Sequence, residues 1–199
     1  FKREIVSVAV PQKRSEDLIV DKDEEPSRVD FQKMRKLKSV FIKDGTITAA
    51  NASTINDGAA AVVVMSKDKA NSMGIKPIAR IVSHASVAGP PLWFTTAPVQ
   101  AMKRVAKKSG LKISDINLFE INEAFSVVPM FAEKELSLNE DSVNIFGGAI
   151  SMGHPIGASG ARIVCTLLNG MNYKKTKYGM ASICIGGGEA SAMILENLI

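Results

Sequence analysis

Apolar positions along the chain fall into short continuous runs and helical stripes, separated by glycine, proline and Asn-Asp-Gly turn signals. Residues 1 to about 45 are the least regular. An alternation of Ile5, Val6, Val8 and Val10 stops at Pro11, and polar and charged residues then dominate to Lys38, with Pro26 breaking any helix. From Gly45 the character changes. Residues 46–48 predict a short strand, Asn56-Asp57-Gly58 a turn, and the unbroken apolar run 59–65 a strand buried on both faces. Residues 67–73 predict a helix stopped by Gly74. Further strands are predicted at 78–82, 118–121, 143–146, 180–185 and 191–196. Between them, Val99, Met102, Val105 and Ala106 mark a helix that starts near Pro98 and ends at Gly110. Ala124, Phe125, Val128, Phe131 and Ala132 mark another, with Pro129 as a kink or a late start. A third spans 157–168, with Ala161, Val164, Cys165 and Leu168 inward. Strands and helices alternating at these lengths predict an α/β fold with a mixed central sheet.

Composition narrows the class. The 199 residues are 46% apolar and 23% charged, enough for one core or slightly more, and too apolar for a disordered chain. No run of eighteen apolar residues predicts a membrane span. The two cysteines, Cys165 and Cys184, form no disulfide framework or metal-ligand spacing, which fits a reducing compartment. The net charge of +5 is modest, mixed in sign, and accompanied by no nucleic-acid-binding motif. It suits a small polyanionic ligand such as a phosphate-bearing cofactor. The basic stretch from Lys33 to Lys38 reads as the solvated face of an excursion loop. The chain opens at Phe1 without a signal-like segment, and is expected to be a piece of something longer.

Three segments place reactive groups where predicted strands end: Asn122-Glu123-Ala124-Phe125, the glycine-rich stretch from Gly147 to Pro155, and Cys184-Ile185-Gly186-Gly187-Gly188. Ligands of α/β sheets collect at such junctions. Of the two histidines, His84 lies in a strand-like stretch and reads as structural. His154 is surrounded by glycines, which allow close approach to a ligand; a proton-transfer role and a turn histidine satisfied by backbone both remain open on spacing alone. Neither a GxxxxGK[ST] nor a GxGxxG loop is present, though Gly157-Ala158-Ser159-Gly160 leaves N–H groups able to meet an anion. Cys165 reads as core. Three glycines after Cys184 expose successive N–H groups, as an oxyanion hole requires.

Those three segments, with GGAISMGHPIGASGAR and CIGGGEA in that order, resemble the C-terminal active-site motifs of the thiolase family. Asn51-Ala52-Ser53 and Asn56-Asp57-Gly58-Ala59-Ala60-Ala61 resemble it too, so the likeness covers essentially the whole chain, and is strongest to the biosynthetic type. The resemblance implies a layered α/β/α fold with mixed sheets. It implies the rear of a loop domain at 1–54, the last strand and helix of an N-terminal domain at 55–76, and a C-terminal domain at 77–199. By resemblance, His154 activates the nucleophilic cysteine and Cys184 is the general acid and base. Asn122 holds a water in a first oxyanion hole, and Gly186 contributes its N–H to a second. Ser53, Ala49, Ala124 and Phe125 would line the pantetheine tunnel, and Phe94 would lie beside the acyl group. The proline that follows this position in members handling 2-methyl-branched substrates is absent, and Glu189 stands where a small or apolar residue is usual.

The implied activity is the reversible condensation of two acetyl-CoA to acetoacetyl-CoA and CoA, as in ketone-body or isoprenoid-precursor metabolism. The coenzyme A thioester is the substrate, with no tightly bound cofactor, no metal and no nucleic-acid partner. The family's acylated cysteine belongs to an N-terminal half, and neither Cys165 nor Cys184 occupies its motif. The expected assembly is a homo-oligomer, a dimer or tetramer, and the expected compartment mitochondrial or cytoplasmic. A degradative 3-ketoacyl-CoA thiolase and a non-catalytic acyl-CoA or lipid-binding module are the alternatives.

Overall fold

A computed structural model describes residues 4–199. Its centre is a four-stranded sheet in the order β3-β6-β5-β4, built from β3 (Ala79–Ala88), β4 (Leu118–Ile121), β5 (Tyr178–Cys184) and β6 (Glu189–Asn197). The β4–β5 pair is parallel and the other two are antiparallel, so the sheet is mixed. Side chains alternate across it. Met180, Cys184, Ala190, Ala192 and Ile194 enter one core, and Ala181 and Leu195 enter the other. This two-sided burial explains why β5 reads as an apolar run rather than an alternating one.

Helices α3 (Ala97–Ser109) and α4 (Val127–Leu136) close the first face, and α6 (Ser159–Lys174), which follows the one-turn α5 (Ala149–Met152), closes the second. Helix α3 follows its sequence signals closely. Pro98 lies in its first turn, where a missing N–H costs nothing, and Gly110 ends it in the left-handed conformation at φ 76°. Pro129 falls in the first turn of α4, which makes it a late start rather than a kink. Helix α6 runs past the expected end at 168 to Lys174, with Gly170 facing Ile145 and Leu118. Its buried stripe is Ile163, Thr166, Leu167, Gly170 and Met171, two positions out of phase with the predicted face. Cys165 therefore turns away from the core, its thiol 3.9 Å from the Ala61 carbonyl.

The amino-terminal part is less regular. The apolar alternation becomes β1 (Val8–Val10), paired antiparallel with β2 (Leu18–Val20). One-turn helix α1 (Phe31–Met34) is capped by Asp30 and the short α2 (Lys67–Ser72) by Ser66. Residues 46–48 are not a strand: the Asn51 side chain bonds the Thr48 N–H at 2.8 Å and the Thr46 carbonyl at 2.9 Å, taking the groups a ladder would use. Residues 59–65 are not one either. They have no strand neighbour among the described residues, and Val62, Val63 and Val64 are 45%, 86% and 68% exposed. An apolar run specifies a tendency to be covered, but the cover must come from elsewhere.

The β5–β6 hairpin turns through Gly188, at φ 100°, where the Gly89 N–H donates to the Gly188 carbonyl at 3.0 Å. A Cβ there would strike the Gly89 carbonyl and reach within 3.0 Å of the Pro91 nitrogen. Gly188→Ala should therefore cost about 1–3 kcal/mol in denaturant unfolding. An unchanged midpoint would show that the hairpin relaxes freely.

Candidate active site

The site forms where β4 and β5 end side by side. Their parallel register pairs Ile121 with Ser182, and the next N–H, that of Asn122, continues the ladder by donating to the Ser182 carbonyl at 2.9 Å. Asn122 thus leaves the end of β4 next to the strand that terminates in Cys184, and both residues are buried. An irregular segment, residues 51–56, ties this edge to the glycine-rich loop. The Ser126 N–H donates to Asn51 and the Ser53 N–H to Ala124. The Ser53 hydroxyl also donates to the Ala124 carbonyl, at 3.1 Å. On its far side, the same segment receives the His154 N–H at the Thr54 carbonyl, 2.8 Å, and at Asn56 Oδ1, 3.1 Å.

His154 and Asn122 meet directly, Nε2 to Nδ2 at 3.2 Å. The other ring nitrogen, Nδ1, lies 2.6 Å from Ser159 Oγ. Burial is the main influence holding the imidazole below its ordinary pKa, and the Arg162 charge adds to it. The ring is therefore neutral near pH 7, a form able to accept a proton. Gly153, at φ 94°, precedes it, and a Cβ there would collide with the Asn56 amide. The close approach of Asn56 to the loop is what excludes a side chain.

Glu123 holds the glycine loop from below. Its carboxylate accepts from Asn144 Nδ2 at 2.8 Å and from the Ile150 N–H at 2.9 Å, and it occupies the space a side chain at Gly148 would need. Asn144 also bonds both backbone groups of Ile121. This is why 143–146 is not a regular strand: Asn144 adopts φ 46° and its side chain replaces the ladder, leaving only isolated bridges, Phe119 with Val143 and Ile145 with Gly147.

Beneath the loop, Glu120 is 3% exposed and Arg162 Nη1 stands 3.8 Å from its carboxylate, too far for a hydrogen bond. Burial outweighs that cation and pushes Glu120 up from 4.5 to about 8. The unfolded chain releases this proton near 4.5 and the folded one holds it to about 8, so its contribution to stability falls as pH rises through that window. Glu120→Gln should flatten the decline of Tm across the window; an unchanged slope would mean that the carboxyl is ionised in the fold.

Cys184 ends β5 with its thiol raised above the ordinary pKa by burial, an effect its backbone hydrogen bond partly offsets. It is a thiol rather than a thiolate at rest. After it, the Gly188 N–H closes a turn onto Ile185, while the exposed Gly186 and Gly187 N–H groups have no partner among the described residues. The space over Gly186 is open, and the Glu189 carboxylate is tucked against Gly187. Phe125 makes edge contacts with Phe94 at 6.2 Å and with Phe41 at 5.9 Å. Ala49 lies exposed in the turn just before the 51–56 segment. His84 is exposed on the edge strand β3, where its carbonyl takes Lys108 Nζ. The sequence reading missed Ser159, Asn56, Asn144 and Phe41. For Asn56 a signal existed in the turn motif; for Phe41 there was none.

Comparison with known proteins establishes the family. Residues 75–197 match the family model for the thiolase C-terminal domain, and residues 1–68 the model for the thiolase N-terminal domain. The chain belongs to the thiolase family. It is 52% identical over 199 residues to the mitochondrial acetyl-CoA acetyltransferase of Bos taurus, covering all of this chain and 47% of that protein. The crystal structure of the Bacillus anthracis acetyl-CoA acetyltransferase superposes with a TM-score of 0.92 at 38% identity, over 97% of this chain and 49% of the other. A thiolase from Ascaris suum in complex with coenzyme A superposes with a TM-score of 0.87 at 43% identity, over 98% of this chain and 50% of the other. This chain thus spans about half the length of the thiolases it matches. Among the described residues, no helix is long and apolar enough to cross a membrane.

Proposed function

We propose that the chain carries the acid–base and oxyanion groups of an acetyl-CoA acetyltransferase, and that the full-length protein containing it condenses two acetyl-CoA reversibly to acetoacetyl-CoA and CoA. The observation that carries this reading is the direct contact of His154 and Asn122 at the strand edge that also ends in Cys184. A binding module has no need of a neutral imidazole, a buried amide and a buried thiol at one edge.

In this reading the acylated cysteine comes from polypeptide outside the chain. His154 Nε2 takes its proton, and the thiolate attacks the first thioester. Asn122 and His154 serve the charge that develops on the thioester oxygen, while the free N–H of Gly186 serves the second oxyanion. Cys184 removes a methyl proton from the second acetyl-CoA and returns it in the reverse direction. Ser53, Ala49, Ala124 and Phe125 line the pantetheine path, with Phe94 packed edge-on to Phe125 near the acyl group. The coenzyme A complex of the Ascaris thiolase supports this choice of substrate. Mitochondrial relatives at 52% identity support a mitochondrial location, and a homo-oligomer is the assembly we propose.

The test is acetoacetyl-CoA cleavage by CoA in the full-length protein, compared with longer 3-ketoacyl-CoA esters. Preference for the four-carbon ester is expected, and preference for long chains would move the protein to the degradative branch. The isolated 199-residue chain should show no turnover. Measurable cleavage by it would overturn the assignment of the nucleophile.

A further inference from the structure

His154 is not backed by a carboxylate. Its ring lies between an amide and a hydroxyl: Asn122 Nδ2 at 3.2 Å from Nε2, and Ser159 Oγ at 2.6 Å from Nδ1. Ser159 is the first residue of α6 and is fully buried. Its backbone N–H donates to the Pro155 carbonyl at 2.9 Å, and its hydroxyl lies 3.2 Å from that same oxygen. Pro155 directly follows the histidine, so hydroxyl and ring are held by one turn of chain.

The direction of the hydrogen bonds follows from the donors. An amide NH₂ can only donate, so the Nε2 that faces it presents a lone pair. The ring proton then sits on Nδ1 and goes to Ser159 Oγ, which leaves the hydroxyl hydrogen for the Pro155 carbonyl. Three bonds run one way, from Asn122 through the ring and the hydroxyl to the backbone. The opposite direction would need the Asn122 amide turned over and the hydroxyl donating to Nδ1. Nε2 would then carry a hydrogen and could not take one up.

We propose that Ser159 is a positioning residue that holds His154 in the Nδ1–H tautomer, keeping Nε2 as the proton acceptor beside Asn122. The tautomer stands on this geometry alone; its role in catalysis rests on the function proposed above. When Nε2 takes a thiol proton, the products are a thiolate and an imidazolium. Nδ1–H keeps its acceptor throughout, so the Ser159 side of the ring needs no rearrangement. A hydroxyl rather than a carboxylate at Nδ1 also leaves the imidazolium without an ion pair on that side, so the proton is easily given back. A reversible reaction requires that.

Imidazole in water favours the Nε2–H form, so the tautomer reports on Ser159 specifically. The experiment is ¹⁵N NMR of histidine-labelled full-length protein at alkaline pH without substrate, with the His154 resonances assigned by loss in His154→Asn. The wild type should show a protonated Nδ1 and a bare Nε2, and Ser159→Ala should move the ring toward Nε2–H. In the same variant kcat should fall roughly tenfold, the size expected for one lost hydrogen bond, with KM for acetoacetyl-CoA nearly unchanged. An Nε2–H ring in the wild type overturns the proposal, and needs no variant to fold. A Ser159→Ala ring that stays Nδ1–H overturns the part assigned to Ser159, and a shifted ring with unchanged kcat overturns its part in catalysis. Correct tautomers in a protein that cleaves no acetoacetyl-CoA would instead remove only the enzyme assignment.

Discussion

His154→Ala in the full-length protein should lower acetoacetyl-CoA cleavage by about 10²–10⁴-fold, the usual range for a lost general base, while His84→Ala leaves it near wild type. The two histidines differ in surroundings rather than in type. His154 is half-buried, its backbone N–H is shared by Thr54 and Asn56, and its ring is gripped on both nitrogens. His84 points to solvent from an edge strand and engages Lys108 only through its carbonyl. The step affected should be acylation, because the thiol to be acylated reacts as its thiolate and the neutral Nε2 is the group able to take its proton. Trapping labelled acetyl-enzyme from acetyl-CoA measures this step directly. Label trapped at wild-type levels in His154→Ala, or lost in His84→Ala, would mean that the catalytic histidine has been misassigned.

What could be read in the sequence was whatever depends on near neighbours in the chain. Helix α3 announced itself through Pro98, a four-residue apolar stripe and Gly110, and all three signals act within one segment. Strand β5 appeared as an apolar run because helices cover both of its faces, and that much a run can convey. Residues 59–65 carry the same signal and fail as a strand, since pairing needs a neighbour and none is present among the described residues. Composition cannot distinguish the two cases.

The site divides in the same way. Asn122, His154 and Cys184 stood out because each belongs to a segment where a predicted strand ends, in glycine-rich or motif-like surroundings. The groups that hold them did not. Ser159 resembled any polar residue opening a helix, and its contact with His154 depends on a turn through Pro155 that spacing does not reveal. Asn144 lay inside a predicted strand, yet its side chain is what fastens Ile121 and Glu123 to the loop. Its left-handed backbone, tolerated best by Asn among residues with a side chain, was hidden by the apolar residues on either side.

Cys184→Ala should separate the two halves of the reaction. In the full-length variant some acyl-enzyme should still form, because the acylated thiol, its base and the first oxyanion group are elsewhere. Solvent deuterium exchange into the methyl group of acetyl-CoA should fall by about 10²–10⁴-fold, roughly 3–5 kcal/mol of transition-state stabilisation. The physical reason lies in where the thiol sits. It closes β5 next to the end of β4, one residue before the exposed turn whose Gly186 N–H has no internal partner. Burial holds the thiol protonated at rest, so it is suited to exchanging a proton with an enolate rather than to attacking a thioester as a standing thiolate. An enolate held by an N–H donor brings the methyl acid and the thiol closer in pKa, which is the condition for efficient transfer between them. Acetyl label covalently attached to Cys184, or undiminished methyl exchange in Cys184→Ala, would overturn the assignment, and His154 would then have to serve both as activator of the nucleophile and as base for the methyl proton.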